Sequence, residues 1–429
     1  MRYQRPRGTA DILPGASANW ERVENAARQI FQRYGYQNIR TPMFENYEVF
    51  SRSSGDTSDI VTKEMYDFDD KGGRHIALRP EGTAGVVRAF VENKLYGPEY
   101  QKPYKVYYMG PMFRYERPQS GRQREFHQIG VEAFGSENPA MDVEVITMAM
   151  RLFKQIGLHD LRVAINTLGD KKSRDDYHKA LVDYLKPHFD ELSPDSQERM
   201  EKNPLRVLDS KDKRDKQFVA DAPSILDYLT PEASQRFETV KTMLDKLGIS
   251  YVVDPTMVRG LDYYNHTIFE IMVKAKSLGS GYTTICGGGR YNGLVEQLGG
   301  PETPGIGFGI GLERLLLLLE DEGISLGQQS GLDVYVVNDG EGTNLPALQL
   351  VEAARDAGLR AERDYEGRKF KTQMKNAFRE KAKLIVILGQ KDLADQTVRL
   401  RVGHQEDKRV AISDLLADFA KYFQECERG

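Results

Sequence analysis

KVYYMGPMFRYERPQSGRQREFHQIGVEAF, residues 105–134, is the stretch that decides how the rest of the chain is read. Two runs rich in aromatic and β-branched residues flank a Pro-Gln-Ser-Gly turn crowded with arginine. Side chains alternate between the two faces of a strand. The spacing therefore predicts Arg114 and Glu116 together on one strand, and Phe126, Gln128 and Glu132 together on the next. A sheet face carrying arginine, an aromatic ring, an amide and carboxylates is unsuited to a core. It suits the lining of a polar pocket for a planar base, a phosphate and a charged amine.

Outward from this hairpin, residues 18–34 place Trp20, Val23, Ala27, Ile30, Phe31 and Tyr34 at helical spacing, and Gly35 ends the pattern. Residues 36–41 read as a short strand stopped by Pro42. Residues 65–68 suit a hairpin arm, and a helix runs through Val86, Val87, Phe90 and Val91. A further helix is expected over 140–156. Between 170 and 225 lysine, arginine and aspartate crowd together and strand signals fade, which predicts an inserted helical subdomain. Strand signals return at 251–253, 267–271 and 282–285, and PGIGFGIGLERLLLLLE (304–320) closes the region. Residues 328–331 read as a linker. Past it, strand patterns at 334–337 and 384–388 alternate with helices at 346–357 and 369–381. That rhythm predicts a small α/β domain, 331–429, with a largely parallel sheet. The first domain is then 1–325.

The chain of 429 residues has room for two or three domains. Sixty basic residues against 64 acidic ones give a net charge of −4, so a polyanionic partner must be met by local patches. Cys286 and Cys426 are the only cysteines, which argues against a disulfide framework and for a reducing, cytoplasmic setting. No secretory signal opens the chain, and the leucine run at 315–319 is far too short to span a bilayer.

No Gly-Lys dipeptide occurs, so any ATP is held without a P-loop. Arginine is the natural substitute, because its guanidinium forks onto phosphate oxygens. Arg114, Arg122, Arg259 and Arg314 are the candidates; for each alone, a solvated surface charge is the competing reading. Phe126 can stack on an adenine ring and Glu116 can accept from its amino group. Glu81 and Glu132 lie in apolar or glycine-rich surroundings, where one can bind an ammonium group and the other a polar side chain. A buried ion pair is their bland alternative. Glycine at every second position over 305–311 suggests a strand pressed closely by another group, leading into a helix that starts near Arg314. The seven histidines lack metal-ligand spacing. Basic residues from Arg360 to Lys383, interleaved with Tyr365 and Phe370, can attract a phosphate backbone and stack on unpaired bases.

These residues resemble the class II aminoacyl-tRNA synthetases, and specifically the bacterial histidyl-tRNA synthetase family, over essentially the whole chain. The helix and strand ending at Pro42 look like motif 1, which in the class builds a dimer interface. FRYERPQSGRQREFHQ looks like motif 2 and GIGFGIGLERL like motif 3. Val258-Arg259-Gly260-Leu261-Asp262-Tyr263-Tyr264 and Gly287-Gly288-Gly289-Arg290-Tyr291 look like the two histidine-specific signatures. The resemblance implies an α+β catalytic domain built on an antiparallel sheet, a helical insertion and a C-terminal α/β anticodon-binding domain. It implies a homodimer that joins L-histidine to tRNA(His) using ATP and Mg²⁺.

Residue by residue, the resemblance assigns Arg259 to the amino-acid carboxylate and the α-phosphate, and Arg114 to a bridge between them. It assigns Arg122 and Arg314 to the outer phosphates, and Glu116 and Phe126 to adenine. Glu81, Thr83 and Gln128 would hold the α-ammonium, with Gln128 also close to the transfer step. Glu132 and Tyr264 would bond the imidazole, with Tyr263 and Tyr291 closing its pocket. Arg117 and Gln119 are candidates for the tRNA acceptor end. The metal carboxylate typical of the class just before motif 3 is missing, so metal ligands stay unassigned. The competing reading is a catalytically silent, synthetase-like regulatory subunit of histidine biosynthesis. Such relatives typically lack the C-terminal domain and degrade the motifs, whereas Arg114, Arg259 and Arg314 stand intact here.

Overall fold

The computed structural model describes residues 3–55, 58, 60–210, 212–274, 281–324, 331–403 and 405–428. The chain divides into two compact units, Met1–Leu326 and Gly327–Gly429.

The strands of the first unit are β1 (Gln37–Asn38), β2 (Phe44–Asn46), β3 (Tyr66–Asp69), β4 (His75–Leu78), β5 (Tyr104–Phe113), β6 (Glu125–Phe134), β7 (Arg162–Thr167), β8 (Tyr251–Val253), β9 (Asn265–Lys274), β10 (Tyr282–Arg290) and β11 (Gly305–Gly311). Its helices include α1 (Ala16–Arg33), α2 (Tyr47–Ser54), α3 (Thr83–Glu92), α4 (Pro139–Gln155), α5 (Lys171–Leu185), α6 (Pro194–Lys202), α7 (Lys213–Ala220), α8 (Pro231–Lys246), α9 (Leu294–Gln297) and α10 (Leu312–Asp321). The main sheet runs β1-β5-β6-β11-β10-β9-β7-β8. Its six inner strands are mutually antiparallel, and the short strands β1 and β8 add in parallel at the two edges. A small sheet, β2-β4-β3, lies apart from it.

Residue parity sets which face of the main sheet is core. On β6, Ile129, Val131 and Ala133 point into a cluster that also holds Val23, Ala27, Ile30 and Phe31 of α1 and Val145, Ile146, Ala149 and Leu152 of α4. On β11, Ile306, Phe308 and Ile310 enter the same cluster. The intervening positions of both strands face the other way, and there the candidate site residues stand.

The described residues of 171–228 are mostly helical, as the composition of 170–225 implied, and have their own supports. Asp170, Ser193 and Asp212 cap α5, α6 and α7 through their side chains. Asp215 is buried and accepts from the Ser193 amide at 2.8 Å and from the hydroxyls of Ser193 and Ser196, each at 2.7 Å.

One expectation for the central hairpin fails. Arg114 and Glu116 are not on a strand, because β5 ends at Phe113. The Arg114 amide still reaches Arg124 across the hairpin at 2.8 Å, but the Tyr115 amide turns to the Glu64 carbonyl at 2.6 Å and the ladder stops. Strand β1 is also shorter than the pattern over 36–41 suggested.

In the second unit the strands are β12 (Val334–Asp339), β13 (Ala361–Arg363), β14 (Leu384–Gly389), β15 (Thr397–Arg401) and β16 (Lys408–Ala411), in the order β13-β12-β14-β15-β16. The first three are parallel, as the strand–helix rhythm implied; β15 and β16 are antiparallel. Short links after β14 and β15 permit antiparallel pairing, whereas a parallel neighbour needs a crossover. Of the expected linker, residues 328–330 lie outside the described residues. No helix among the described residues is long and apolar enough to cross a membrane.

Candidate active site

On the functional face, β6 presents Phe126, Gln128, Gly130, Glu132 and Phe134, and β11 presents glycines at 305, 307, 309 and 311. Gly305 and Gly307 are clearances. A Cβ on Gly307 would sit 2.0 Å from Glu132 Oε2, and one on Gly305 would sit 2.2 Å from the Tyr291 ring. Tyr108 of β5, opposite Gly130, occupies the space that side chains at Gly82 and Gly130 would need. A Cβ on Gly287 of β10 would lie 2.4 Å from the Arg259 guanidinium. These glycine positions therefore form a stretch of floor free of side chains, over which Tyr108, Tyr291 and Arg259 lie.

Glu132 sits at the centre of one end and is fully buried. Thr83 donates to its Oε1 at 2.8 Å, Tyr108 to the same oxygen at 3.2 Å and Tyr291 to Oε2 at 2.5 Å. Burial pushes its carboxyl up to about 8 despite these donors, and the neighbouring Glu81 adds to the rise. Glu81 is buried at the start of α3, where it accepts from the amides of Thr83 at 2.6 Å and Ala84 at 2.8 Å. Burial raises its pKa too, with those amides and Arg114 working against the rise. Thr83 thus joins the two carboxyl groups. Tyr263 and Tyr264 are buried beside them, their rings 4.6 Å apart, with Tyr263 also 5.7 Å from Tyr291.

Arg259 comes from the segment between β8 and β9. It pairs with Glu270 of β9, whose other oxygen accepts from Thr284 at 2.5 Å, and its guanidinium lies over the Tyr264 ring. Burial alone opposes its charge; Tyr264 and Glu270 more than offset that, and its pKa is raised.

The other end of the floor opens into a cavity of about 260 Å³ lined by Arg114, Glu116, Arg122, Phe126, Gln128 and Arg314, among others. Arg114 is anchored to the Pro80 carbonyl at 2.8 Å and lies over the Phe126 ring at 5.2 Å. Arg122 reaches Glu116 at 3.4 Å. Arg314, on the first turn of α10, donates to the Thr284 carbonyl at 2.8 Å; burial and the charge of Arg122 lower its pKa. An arginine depressed by burial and by a neighbouring arginine is a site for an anion, since a polyphosphate relieves both burdens. Arg117 and Gln119 are exposed, Gln119 in a tight turn closed by its backbone pairing with Arg122.

Sequence reasoning missed several supports. Glu313 accepts from the His127 amide at 2.9 and 3.0 Å and bonds the His127 ring at 2.9 Å, tying α10 to β6. Tyr108 and Glu270 were readable only as a tyrosine in an aromatic strand and one acid in the apolar run 267–273. Arg290, part of a signature, is not in the pocket. It is fully buried against Asp142 of α4, which also takes Thr267 at 2.8 Å and Arg236 at 3.1 Å.

The histidyl-tRNA synthetase family model matches residues 8–315, and an anticodon binding domain model matches 333–422. The chain is 72% identical over 426 residues to the histidine--tRNA ligase of Limosilactobacillus fermentum, covering 99% of both chains. The chain belongs to the histidyl-tRNA synthetase family. The ligase of Lactiplantibacillus plantarum is 66% identical over 97% of this chain and 98% of its own. The structure of apo S. aureus histidyl-tRNA synthetase superposes with a TM-score of 0.84 at 42% identity, covering 99% of this chain and 100% of that one. A Bacillus halodurans protein described as an ATP phosphoribosyltransferase regulatory subunit/histidyl-tRNA synthetase shares the fold at 22% identity and a TM-score of 0.63. Full-length identity to ligases of the family removes the regulatory reading.

Within the second unit, the basic stretch is less free than its composition suggests. Arg363 is buried, Arg360 and Lys383 pair with Asp333, and Arg368 pairs with Asp364. Phe370 packs partly buried beside Tyr335. Tyr365, Lys369, Lys371 and Lys375 are exposed.

Proposed function

We infer that this chain is a histidine--tRNA ligase that activates L-histidine with ATP and then esterifies tRNA(His). The observation that carries the residue assignments is the pairing of two chemistries along one glycine floor. Buried Glu81 and Glu132, joined through Thr83, stand at one end; Arg114, Arg122 and Arg314 surround a cavity at the other. A zwitterionic amino acid with a polar ring and a nucleoside triphosphate match these ends, and we assign Arg259 to the junction between them.

In the first step a histidine carboxylate oxygen bonds to the α-phosphorus. The bond to the β-phosphate oxygen breaks, and pyrophosphate leaves with the electron pair. Arg259 and Arg114 offset the charge gathering at the α-phosphate, Arg122 and Arg314 hold the outer phosphates, and Glu116 and Phe126 hold adenine. Glu81, Thr83 and Gln128 hold the ammonium group. Glu132 and Tyr264 bond the imidazole nitrogens, with Tyr263 and Tyr291 as walls. Catalysis is positioning and electrostatics. In the second step a ribose hydroxyl oxygen at the tRNA 3′ end bonds to the histidyl carbonyl carbon, the carbonyl–phosphate oxygen bond breaks, AMP leaves with the electron pair and the hydroxyl proton passes to solvent; we assign Gln128 to that path and Arg117 and Gln119 to the acceptor end.

Among the described residues no group of three or more histidine, cysteine or acidic side chains could hold a metal. Glu64, Glu116 and Glu313 do line the cavity. Of these, Glu313 is tied to His127 and Glu116 is assigned to adenine; Glu64 would help hold Mg²⁺ arriving on the nucleotide, an ion usually held by substrate phosphates plus one or two carboxylates. When bound it would offset charge on the β- and γ-phosphates. The family resemblance of α1 and β1 to motif 1 supports a homodimer, and both cysteines being free supports a reducing cytoplasm.

ATP–pyrophosphate exchange with each of the twenty amino acids, without tRNA, tests the reading. Exchange with histidine alone is expected. Arg259→Ala should lower that exchange by ~10²–10³ at unchanged fold; parent-like exchange in this variant rejects the mechanism.

A further inference from the structure

The segment that carries Arg259, residues 258–264, belongs to no helix or strand. The helical stretch after β7 reaches across to it at three points. Arg206, in the turn after α6, donates to the Gly260 carbonyl at 3.0 Å. Asn203, at the end of α6, donates from its amide nitrogen to Asp262 Oδ1 at 2.8 Å. Arg174 of α5 donates to the Tyr264 carbonyl at 3.2 Å.

Between the two segments lies a small cavity of about 50 Å³, with Arg174, Asn203 and Leu205 on one wall and Arg259, Asp262 and Tyr264 on another. Val258 and Leu261 share an apolar cluster with Leu205, but the cavity leaves the packing on this side incomplete. The Asp262 carboxylate that Asn203 bonds also comes so near Gly55, after α2, that a Cβ there would lie 2.4 Å from it. Polar struts and a glycine clearance together define where the loop sits.

We infer that Asn203 and Arg206 are positioning residues for Arg259, holding the peptide that follows it so that its guanidinium meets the reacting carboxylate and phosphate. The inference rests on the reading of Arg259 given above. The Gly260 carbonyl is one residue from Arg259, so losing its donor frees the backbone that aims the side chain. The Glu270 pair fixes the guanidinium from the sheet side, but a salt partner alone leaves the loop backbone free to shift. A misplacement of about 1 Å at such a site costs on the order of 10²-fold. With Glu270 retained, a loss of roughly tenfold is expected for either strut.

Single-turnover adenylate formation with the full chain, histidine and ATP tests this, using Arg206→Ala, Asn203→Ala, Arg206→Lys, Arg259→Ala and the double variant Arg206→Ala/Arg259→Ala. Thermal unfolding of each identifies loss of fold. The expected result is a rate about tenfold lower for each strut variant, with KM for ATP within about twofold of the parent. Arg206→Lys, which keeps a donor, should recover most of the rate. In the Arg259→Ala background, Arg206→Ala should add less than about twofold, because its route to the chemistry is already gone. A merely structural role predicts the same loss with and without Arg259, and that result overturns the inference. So does a parent-like Arg206→Ala beside a disabled Arg259→Ala. A parent-like Arg259→Ala rejects the underlying assignment instead.

Discussion

Replacing Glu132 with glutamine should make the protein more stable while impairing histidine recognition. The folded carboxyl is pushed up to about 8 from an ordinary 4.5. Its raised pKa means that folding retains a proton the unfolded chain has released. Stability contributed by the neutral carboxyl is thus complete below pH 4.5 and is lost as pH rises to about 8. Each unit is worth about 1.4 kcal/mol, so the penalty against a permanently neutral amide is under 1 kcal/mol at pH 5, about 3 at pH 7 and about 4 at pH 8. An unfolding entropy of roughly 2 cal/mol/K per residue over Met1–Leu326 turns this into a Tm gap of about 1 °C at pH 5 and about 6 °C at pH 8. The assay is thermal unfolding of parent and Glu132→Gln without ligand from pH 5 to 8.5, monitored in the catalytic unit. A gap that is the same at both ends of the range would refute the argument, because the carboxyl would then be ionising near its ordinary value. In exchange assays the same variant should raise KM for histidine at least about tenfold and leave KM for ATP within about twofold.

Gly307→Ala places a methyl 2.0 Å from Glu132 and 2.2 Å from the Val131 carbonyl, and should lower stability by about 2 kcal/mol in denaturant titrations. Gly309→Ala, whose nearest neighbour is Gln128 at 4.0 Å, should unfold close to the parent midpoint; equal losses in both would dismiss the clearance argument. Arg290→Ala strands Asp142 in the core and should cost about 3 kcal/mol, and a loss below about 1 would show that Arg236 and Thr267 suffice. Arg314→Ala should raise KM for ATP about tenfold with little change for histidine, and the reverse ordering in pyrophosphate exchange would move Arg314 out of the phosphate group.

The local signals in the sequence carried far. Alternation along 125–134 put Phe126, Gln128 and Glu132 on one face, and glycine at every second place over 305–311 announced a strand under close approach. What approaches was not legible. Glu132 meets Gly307 only because β6 and β11 align in one register, and pairing over more than 150 positions leaves no local trace. The same holds for Arg290 and Asp142, 148 positions apart. Arg114 and Glu116 left the strand for a similar reason: the Glu64 carbonyl, some 50 residues earlier, captures the Tyr115 amide. Part of the basic run after Arg360 is tied down by a residue that lies outside it in sequence, since Asp333 pairs with Arg360 and Lys383.

Parity links the stability of this site to its function. Ile129 and Val131 hold β6 in the core through the positions between Gln128 and Glu132, as Ile306, Phe308 and Ile310 hold β11 between its glycines. A slip of one residue would exchange the two faces, so the core specifies the register and the register delivers the site. The site then works against the fold that delivers it: a carboxyl is buried above its ordinary pKa, and four glycines line a central strand where β-branched residues would serve better. Glu132→Gln and Gly307→Ala probe this opposition from both sides. One relieves the buried acid and should raise Tm; the other crowds it and should lower Tm; both should weaken histidine recognition. If activity instead followed stability in the two variants, the floor would be serving the fold alone, and the reading of Glu132 as the imidazole's partner would fall with it.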